Sequence, residues 1–216
     1  MAVLGDVHGN LGALDAVLGA VAAAGLVRGV VTGDLVMRGL EPEACIGRVR
    51  SLGWPCVAGN TDRKVARRPA KKGWDVRGMR PGSRSWTRAH LSPASVEYLA
   101  GLPPLVRLHL GGATIVVIHG DQTVPPGAID ALASDHDLWR LAHALRADCV
   151  VSGHTHRPLL RRVGDCLFLN PGSVGEGTDD DRRPAWAWVA VDGDGAHVRA
   201  GLERVDAPLA HVRPHQ

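Results

Sequence analysis

The chain has 216 residues, which is long enough to bury a sizeable core and still form one domain. Hydrophobic residues make up 45% and charged residues 22%, which excludes a disordered or fibrous chain. A net charge of +3 is too small to indicate nucleic-acid binding by itself, and no apolar run reaches the ~18 residues of a membrane span.

The first 60 residues alternate between short apolar runs and segments with helical periodicity. The runs at residues 1–4, 30–32 and 54–58 predict strands, and residues 11–24 and 41–52 predict helices. This order predicts right-handed βαβ units and a parallel sheet. Ligands of such sheets bind at the carboxyl ends of the strands.

Residues 61–90 have a different composition from the segment before them. They contain ten basic residues against two acidic ones, and their apolar periodicity is weak. We therefore predict an irregular basic insertion or cap here. It favours an extended anionic substrate, and a solvated charged face explains it equally well.

The second half is mostly short strands with two helices. Helices are predicted at 92–102 and 130–146, and strands at 106–110, 113–118, 149–152, 159–163, 166–169, 185–191 and 197–202. Together these elements predict an α/β fold of two sheets with outer helices. A single domain over residues 1–206 and a loose tail at 207–216 are expected.

The four cysteines contain no C-x-x-C pair, so a zinc ribbon is not expected. Cys56 and Cys149 lie in apolar runs and predict buried reduced thiols rather than a disulfide. No basic segment followed by an apolar one precedes the first strand, so no signal peptide is expected. These features predict a cytoplasmic protein.

Metal-ligating side chains follow several predicted strands. Each of these strand-end motifs contains a glycine that allows the backbone to turn sharply. The ligand candidates are Asp6, His8, Asp34, Asn60, His119, His154 and His156. One Asp or Asn after a strand usually forms a turn, but this ordered set predicts a metal site.

Seven ligands are too many for one four-coordinate zinc ion. They suit two ions of higher coordination number, and the two oxygens of Asp34 can bridge them. Two ions about 3.5–4 Å apart can activate a bridging water and hold the oxygens of a phosphoryl group. The sequence therefore predicts a phosphoester hydrolase, because phosphoryl transfer needs mainly positioning and charge stabilisation.

With these motifs assembled, the chain resembles the calcineurin-like metallophosphoesterase superfamily over residues 1–190, and within it the small bacterial and archaeal phosphodiesterase–phosphatase branch. The resemblance implies a four-layer α-β-β-α sandwich of two mixed β-sheets flanked by helices. It also implies two divalent ions, with Mn expected and Fe or Zn as alternatives. Asp6, His8, Asp34 and His156 would hold one ion, and Asp34, Asn60, His119 and His154 the other. The implied nucleophile is a hydroxide that bridges the two metals.

The segment at residues 33–39 is similar to one in serine/threonine phosphatases and symmetrical diadenosine tetraphosphate hydrolases. In those enzymes the arginine that matches Arg38 grips the phosphate, a role that suits its bidentate fork. A solvent-exposed arginine is the alternative. Asn10 is a second expected phosphate contact, although it is also a good helix N-cap.

One departure from the family concerns the leaving group. Many relatives have a histidine after the metal-binding asparagine, and it is thought to protonate the leaving group; here Thr61 takes that place, followed by Asp62 and Arg63. Threonine is no general acid at neutral pH, and general acids typically contribute 10²–10⁴-fold. Asp62 and His90 are the candidate replacements. Thr61 and Arg63 are expected to contact substrate.

The leading hypothesis is a dinuclear-metal phosphoesterase that cleaves phosphodiesters or phosphomonoesters, with Asp34 and Arg38 in its catalytic set. The alternatives are a symmetrical dinucleoside polyphosphate hydrolase, a serine/threonine-type phosphatase, or a non-catalytic scaffold of the same fold. The expected partner is a small phosphate ester or nucleotide, with nucleic acid or phosphoprotein as further alternatives. No membrane partner is expected.

Overall fold

The computed structural model describes residues 1–67, 76–121, 129–193 and 197–207. The strands among these residues are β1 Ala2–Leu4, β2 Gly29–Val31, β3 Leu105–Leu110, β4 Ala113–Ile118, β5 Cys149–Val151, β6 Leu159–Val163, β7 Cys166–Asn170, β8 Ala185–Val191 and β9 Val198–Arg204. The helices are α1 Leu11–Ala23, α2 Pro42–Leu52, α3 Asn60–Ala66, α4 Arg84–Ala89, α5 Pro93–Gly101 and α6 Asp135–Leu145.

The described strands form two mixed sheets. The first has the order β2-β1-β8-β9, with β1 and β2 parallel and the other pairs antiparallel. The second has the order β3-β4-β5-β7-β6, in which β4, β5 and β7 run parallel between antiparallel edge strands. Each sheet therefore contains parallel strands, at the edge of the first sheet and at the centre of the second. The carboxyl ends of these strands can carry ligands.

Alternation along the strands separates three apolar layers. Val3 and Ile115 pack into a core between the sheets. Leu4 points the other way, into a core shared with α1, α2 and α5, and Val116 packs with α6 on the outer face of the second sheet. The result is the expected α-β-β-α sandwich of two mixed β-sheets.

Polar side chains cap the first turn of several of these helices, among them the predicted cap Asn10. The side chain of Asn10 accepts a hydrogen bond from Ala13 N at the start of α1, and Ser92 and Ser134 cap α5 and α6 in the same way. Pro42 occupies the first turn of α2, where its missing N–H costs nothing.

Two sequence-based expectations differ from the structure. The strand predicted at 54–58 is reduced to a single parallel bridge between Val31 and Cys56, since Pro55 has no N–H to extend the ladder. The segment predicted to be irregular contains α3 and α4, which are too short to show clear periodicity. Residues 68–75 of that segment, and residues 208–216 of the predicted tail, lie outside the described residues.

All four cysteines are buried and free, which confirms the prediction made for Cys56 and Cys149. Among the described helices, none combines the length and apolar character needed to cross a bilayer.

Candidate metal centre

Loops from both sheets meet where β1, β2, β4 and β5 end. Asp6 N donates to Gly33 O at 2.9 Å, and Gly153 N donates to His119 O at 3.0 Å, so neighbouring loops are tied to each other. These loops bring the seven predicted ligands together: Asp6, His8, Asp34, Asn60, His119, His154 and His156. They come from positions spread over 150 residues of sequence.

Five of these ligands have left-handed backbone conformations, with φ between 50° and 71°: Asp6, His8, Asp34, His154 and His156. Non-glycine residues rarely adopt this conformation, which costs of order 1–3 kcal/mol each. Met37 and Arg38 share it in the loop after Asp34. Such clustering of strained residues is typical of a functional site that the surrounding fold holds in place.

Two glycines make room for the aspartate ligands. A Cβ added at Gly59 would lie 2.1 Å from Asp34 Oδ1, and one added at Gly153 would lie 2.6 Å from Asp6 Oδ2. Any side chain at either position would therefore displace a carboxylate. The glycines beside the ligands serve close approach here, in addition to the turns expected from the sequence.

Asp6, His8, Asp34 and His156 form what we call the inner group. One ligand atom from each lies within 4.8 Å of the others, and all four side chains are at most 4% exposed, so they could hold a metal ion. His156 Nε2 lies 3.3 Å from Asp6 Oδ1, and His8 Nε2 lies 3.7 Å from Asp34 Oδ2.

The imidazole tautomers in the inner group fit a cation. His8 Nδ1 faces the Val36 carbonyl at 3.3 Å, and His156 Nδ1 faces the Glu176 carbonyl at 2.8 Å. A carbonyl only accepts, so each Nδ1 carries the hydrogen and each Nε2 presents a lone pair. The two Nε2 atoms are 3.0 Å apart, an arrangement that a shared cation would stabilise.

Asp34, Asn60, His119 and His154 form the outer group. His119 Nε2 lies 3.5 Å from Asp34 Oδ1 and 3.1 Å from Asn60 Oδ1. His154 Nδ1 lies 2.9 Å from the same Asn60 oxygen. His119 Nδ1 donates to Thr32 O at 2.8 Å, so its Nε2 is the atom directed at the group.

Burial and charge act differently on the two groups. Burial lowers the pKa of His8 to about 4, against the opposing charge of Asp34, so this imidazole is neutral at pH 7. Burial also lowers the pKa of His119, but the Asp34 carboxylate outweighs it and raises that pKa to about 9. Burial raises the pKa of Asp34, but the charge of His119, its hydrogen bond to this carboxylate and a hydrogen bond from Thr61 N more than compensate and hold the pKa well below its usual value.

The side chains of the three residues after Asn60 contact backbone groups and Asp121. Thr61 Oγ1 donates to Val36 O at 3.0 Å, and Arg63 donates to Ala58 O and pairs with Asp121. Both side chains thus have partners within the protein, and their contact with substrate stays a prediction.

Asp62 is fully buried and holds backbone amides. Its Oδ2 accepts from Asp34 N at 2.8 Å and from Gly59 N at 3.0 Å, and its Oδ1 accepts from Leu35 N at 2.9 Å. Both oxygens are thus occupied by the loops that carry Asp34 and Asn60. This placement supports a role in positioning two ligands, and the role of leaving-group acid stays a prediction.

The remaining predicted residues differ in placement. Arg38 has its guanidinium near the inner group, since it pairs with Glu176, whose carboxylate lies 3.6 Å from His156 Nδ1. Burial lowers the pKa of Arg38, and the charges of Asp34 and Asp6 oppose that shift. Asn10 Oδ1 caps α1 while Nδ2 donates to Gly175 O at 3.3 Å, so the cap reading fits this buried side chain better than phosphate contact.

His90 is exposed at the end of α4, stacked on Trp86 with ring centroids 3.9 Å apart.

The residue that sequence reasoning missed is Glu176. Its carboxylate pairs with Arg38 and lies 3.6 Å from His156 Nδ1, while its backbone carbonyl orients the same imidazole. The sequence signal was weak, since Glu176 only follows a Gly-Ser-Val-Gly turn. The carbonyls of Thr32 and Val36 carry no sequence signal at all, because every residue has one.

The fold is a sandwich of two sheets, and a buried Asp/His cluster lies at their strand ends. This combination is typical of metal-dependent hydrolases. The chain belongs to the calcineurin-like phosphoesterase superfamily, whose domain it matches over residues 1–194. It is 25% identical over 201 residues to an uncharacterized protein of Methanocaldococcus jannaschii, covering 83% of this chain and 77% of that protein. A probable metallophosphoesterase of the same organism is 39% identical over 79 residues, which are 37% of this chain and 38% of that one.

Solved structures agree with this assignment. A metallophosphoesterase from Sphaerobacter thermophilus superposes with a TM-score of 0.75 at 25% identity, covering 95% of this chain and 87% of the other. A hypothetical protein from Pyrococcus horikoshii gives a TM-score of 0.76 at 18% identity, with 95% and 88% covered, which shows the fold alone.

Proposed function

We propose that this chain is a phosphoesterase that uses two divalent metal ions and cleaves phosphodiesters in preference to phosphomonoesters. The observation that carries the proposal is the position of Asp34 between the inner and outer groups. Its Oδ2 faces His8 Nε2 at 3.7 Å and its Oδ1 faces His119 Nε2 at 3.5 Å. A carboxylate shared in this way suits two neighbouring cations.

Two ions held by the inner and outer groups would supply Lewis-acid stabilisation of phosphoryl oxygens and a more acidic water. The chain itself orients the ligands. The carbonyls of Val36, Glu176 and Thr32 fix the imidazoles of His8, His156 and His119, and Asp62 fixes the Asp34 and Asn60 loops. Such outer contacts typically change metal affinity or activity 10–100-fold.

The Arg38–Glu176 pair supports the preference for diesters. Arg38 is 30% exposed and can donate to a phosphoryl oxygen, while Glu176 cancels part of its charge. A phosphodiester carries one negative charge at pH 7 and a monoester close to two. The carboxylate of Glu176 therefore disfavours the monoester more strongly through like-charge repulsion.

A second candidate is a symmetrical dinucleoside polyphosphate hydrolase, favoured by the position of Arg38 beside the inner group. A non-catalytic scaffold is less well supported, because all seven ligand side chains are retained and face each other. Manganese stays the predicted metal, and a cytoplasmic setting stays the predicted location.

The test is hydrolysis of bis-p-nitrophenyl phosphate, p-nitrophenyl phosphate and diadenosine tetraphosphate by metal-stripped protein to which Mn²⁺ is added back. We expect diester cleavage that needs about two equivalents of metal, and an Asp34→Asn variant that is roughly 10³-fold less active. Glu176→Gln should raise monoester relative to diester cleavage by about tenfold. No turnover of either nitrophenyl ester, with two ions bound, would contradict the proposal, and cleavage of the tetraphosphate anhydride alone would favour the second candidate.

A further inference from the structure

One basic side chain of α3, that of Lys64, lies beside the outer group. Thr61 donates its hydroxyl to the backbone, and Asp62 and Arg63 are occupied by backbone groups and Asp121. Lys64 lies four residues after Asn60, on the same face of the helix. Its Nζ is 3.1 Å from the outer atom of the Asn60 amide, the one turned away from the imidazoles.

The side-chain amide of Asn60 can be placed in two orientations. One lets it accept a hydrogen bond from Lys64 and the other does not. With the oxygen turned outward, the amide would accept from Lys64 Nζ at 3.1 Å and from Thr61 N at 3.3 Å, and its NH2 would donate to His119 and His154. With the oxygen turned inward, as it stands, it faces both imidazoles at 3.1 and 2.9 Å. The inward orientation is the one that a cation in the outer group requires.

The inward orientation leaves the Lys64 ammonium facing an NH2 group, which cannot accept a hydrogen bond. Among the described residues, Arg63 pairs with Asp121 and Asp62 accepts from backbone amides, whereas no carboxylate forms an ion pair with Lys64. Its head is exposed and its three donors are available to an anion beside the outer group.

We propose that Lys64 is a catalytic residue that donates a hydrogen bond to the leaving-group oxygen of the phosphate ester, the place that Thr61 cannot fill. This inference rests on the proposed function. In the reaction a water-derived oxygen bonds to phosphorus while the phosphorus–oxygen bond to the leaving group breaks. The electron pair stays on the leaving oxygen, which finally takes a proton from solvent. The ammonium of Lys64 stabilises the charge that develops there.

Kinetics on a matched pair of diesters tests the contact, with methyl p-nitrophenyl phosphate and methyl phenyl phosphate as substrates. Phenolate is the poorer leaving group and carries more charge that needs stabilising. We expect Lys64→Met to lose roughly 10–10²-fold more kcat on the phenyl ester than on the nitrophenyl ester. Lys64→Arg should restore part of that loss. An equal loss on both esters, or no loss, would overturn the proposal.

A second measurement does not depend on turnover. The chain has only three lysines, Lys64, Lys71 and Lys72, so amine acetylation followed by peptide mass spectrometry reports on each. We expect Mn²⁺ to increase the labelling rate of Lys64, and inorganic phosphate then to protect it relative to the other two. If Lys64 gains no protection from phosphate in the Mn²⁺-loaded protein, the proposal is wrong.

The two measurements separate this inference from the proposed function. If the wild-type protein cleaves neither diester, the proposed activity and the leaving-group role of Lys64 are both wrong. Protection of Lys64 by phosphate would then still show that Lys64 contacts an anion. If the wild-type protein is active and Lys64→Met is indistinguishable from it on both esters, the activity stands and the role of Lys64 fails.

Discussion

The inner and outer groups share Asp34 but differ in charge and burial. The inner group has a second carboxylate, Asp6, and its side chains are almost completely buried. The outer group adds only the neutral amide of Asn60 to its two imidazoles, and both Asn60 and His154 are partly exposed. From this difference we predict that an ion in the inner group would be held tightly, and that one in the outer group would be weaker and more exchangeable.

The largest expected effect comes from removing one histidine from each group. His156→Ala should weaken binding of the tighter Mn²⁺ ion by roughly 10²-fold or more, because the inner group loses a ligand. His154→Ala should leave one ion tightly bound and weaken only the second. Isothermal titration calorimetry on the metal-stripped variants measures both affinities.

His136→Ala, on the exposed side of α6, is the matched control and should bind as the wild type does. If His154→Ala and His156→Ala weakened the same single binding step equally, the distinction between the two groups would be wrong.

The two groups should also respond differently to pH. Asp34 raises the pKa of His119 to about 9, so below that pH the metal-free protein holds a proton that an ion must displace. Outer-group affinity should therefore rise by about tenfold per pH unit towards pH 9. His8, with a pKa of about 4, imposes no such cost on the inner group at pH 6–8. Calorimetry from pH 6 to pH 8 measures the affinity of each group. If the logarithms of both affinities rose equally with pH, the prediction would be wrong.

A smaller effect is expected at Asp62, which connects the groups without belonging to either. Asp62→Asn keeps the size but replaces one acceptor oxygen by a donor that faces backbone N–H groups. We expect a loss of about 2–4 kcal/mol in the free energy of unfolding, because hydrogen bonds to charged groups contribute more than neutral ones. Urea denaturation measures it, with the exposed Asp165→Asn as control.

Saturating Mn²⁺ should restore most of the activity of Asp62→Asn, since its role is to position ligands. A leaving-group acid would behave otherwise, with normal stability and activity that metal does not rescue.

The sequence predicts the ligands better than their surroundings. Asp6, His8 and the others stand out because each belongs to a glycine-containing motif that follows an apolar run, and strand ends in such folds meet at one place. The carbonyls of Thr32, Val36 and Glu176 that orient the imidazoles leave no trace in residue type. Asp62 illustrates the same limit, because its partners are backbone amides that only the folded loops bring to it.

Short elements were the other limit. Helix α3 spans two turns, too few for a hydrophobic period to be distinguished from chance. Its position places Lys64 beside Asn60, and so the contact on which the leaving-group proposal rests was visible only in three dimensions.

The central claim is that two ions share Asp34, and anomalous diffraction from crystals grown with Mn²⁺ tests it most directly. The account predicts two peaks about 3.5–4 Å apart, one among Asp6, His8 and His156 and one among Asn60, His119 and His154, with Asp34 between them. A single peak in the inner group, with Asn60 and His154 uncoordinated at saturating metal, would contradict it.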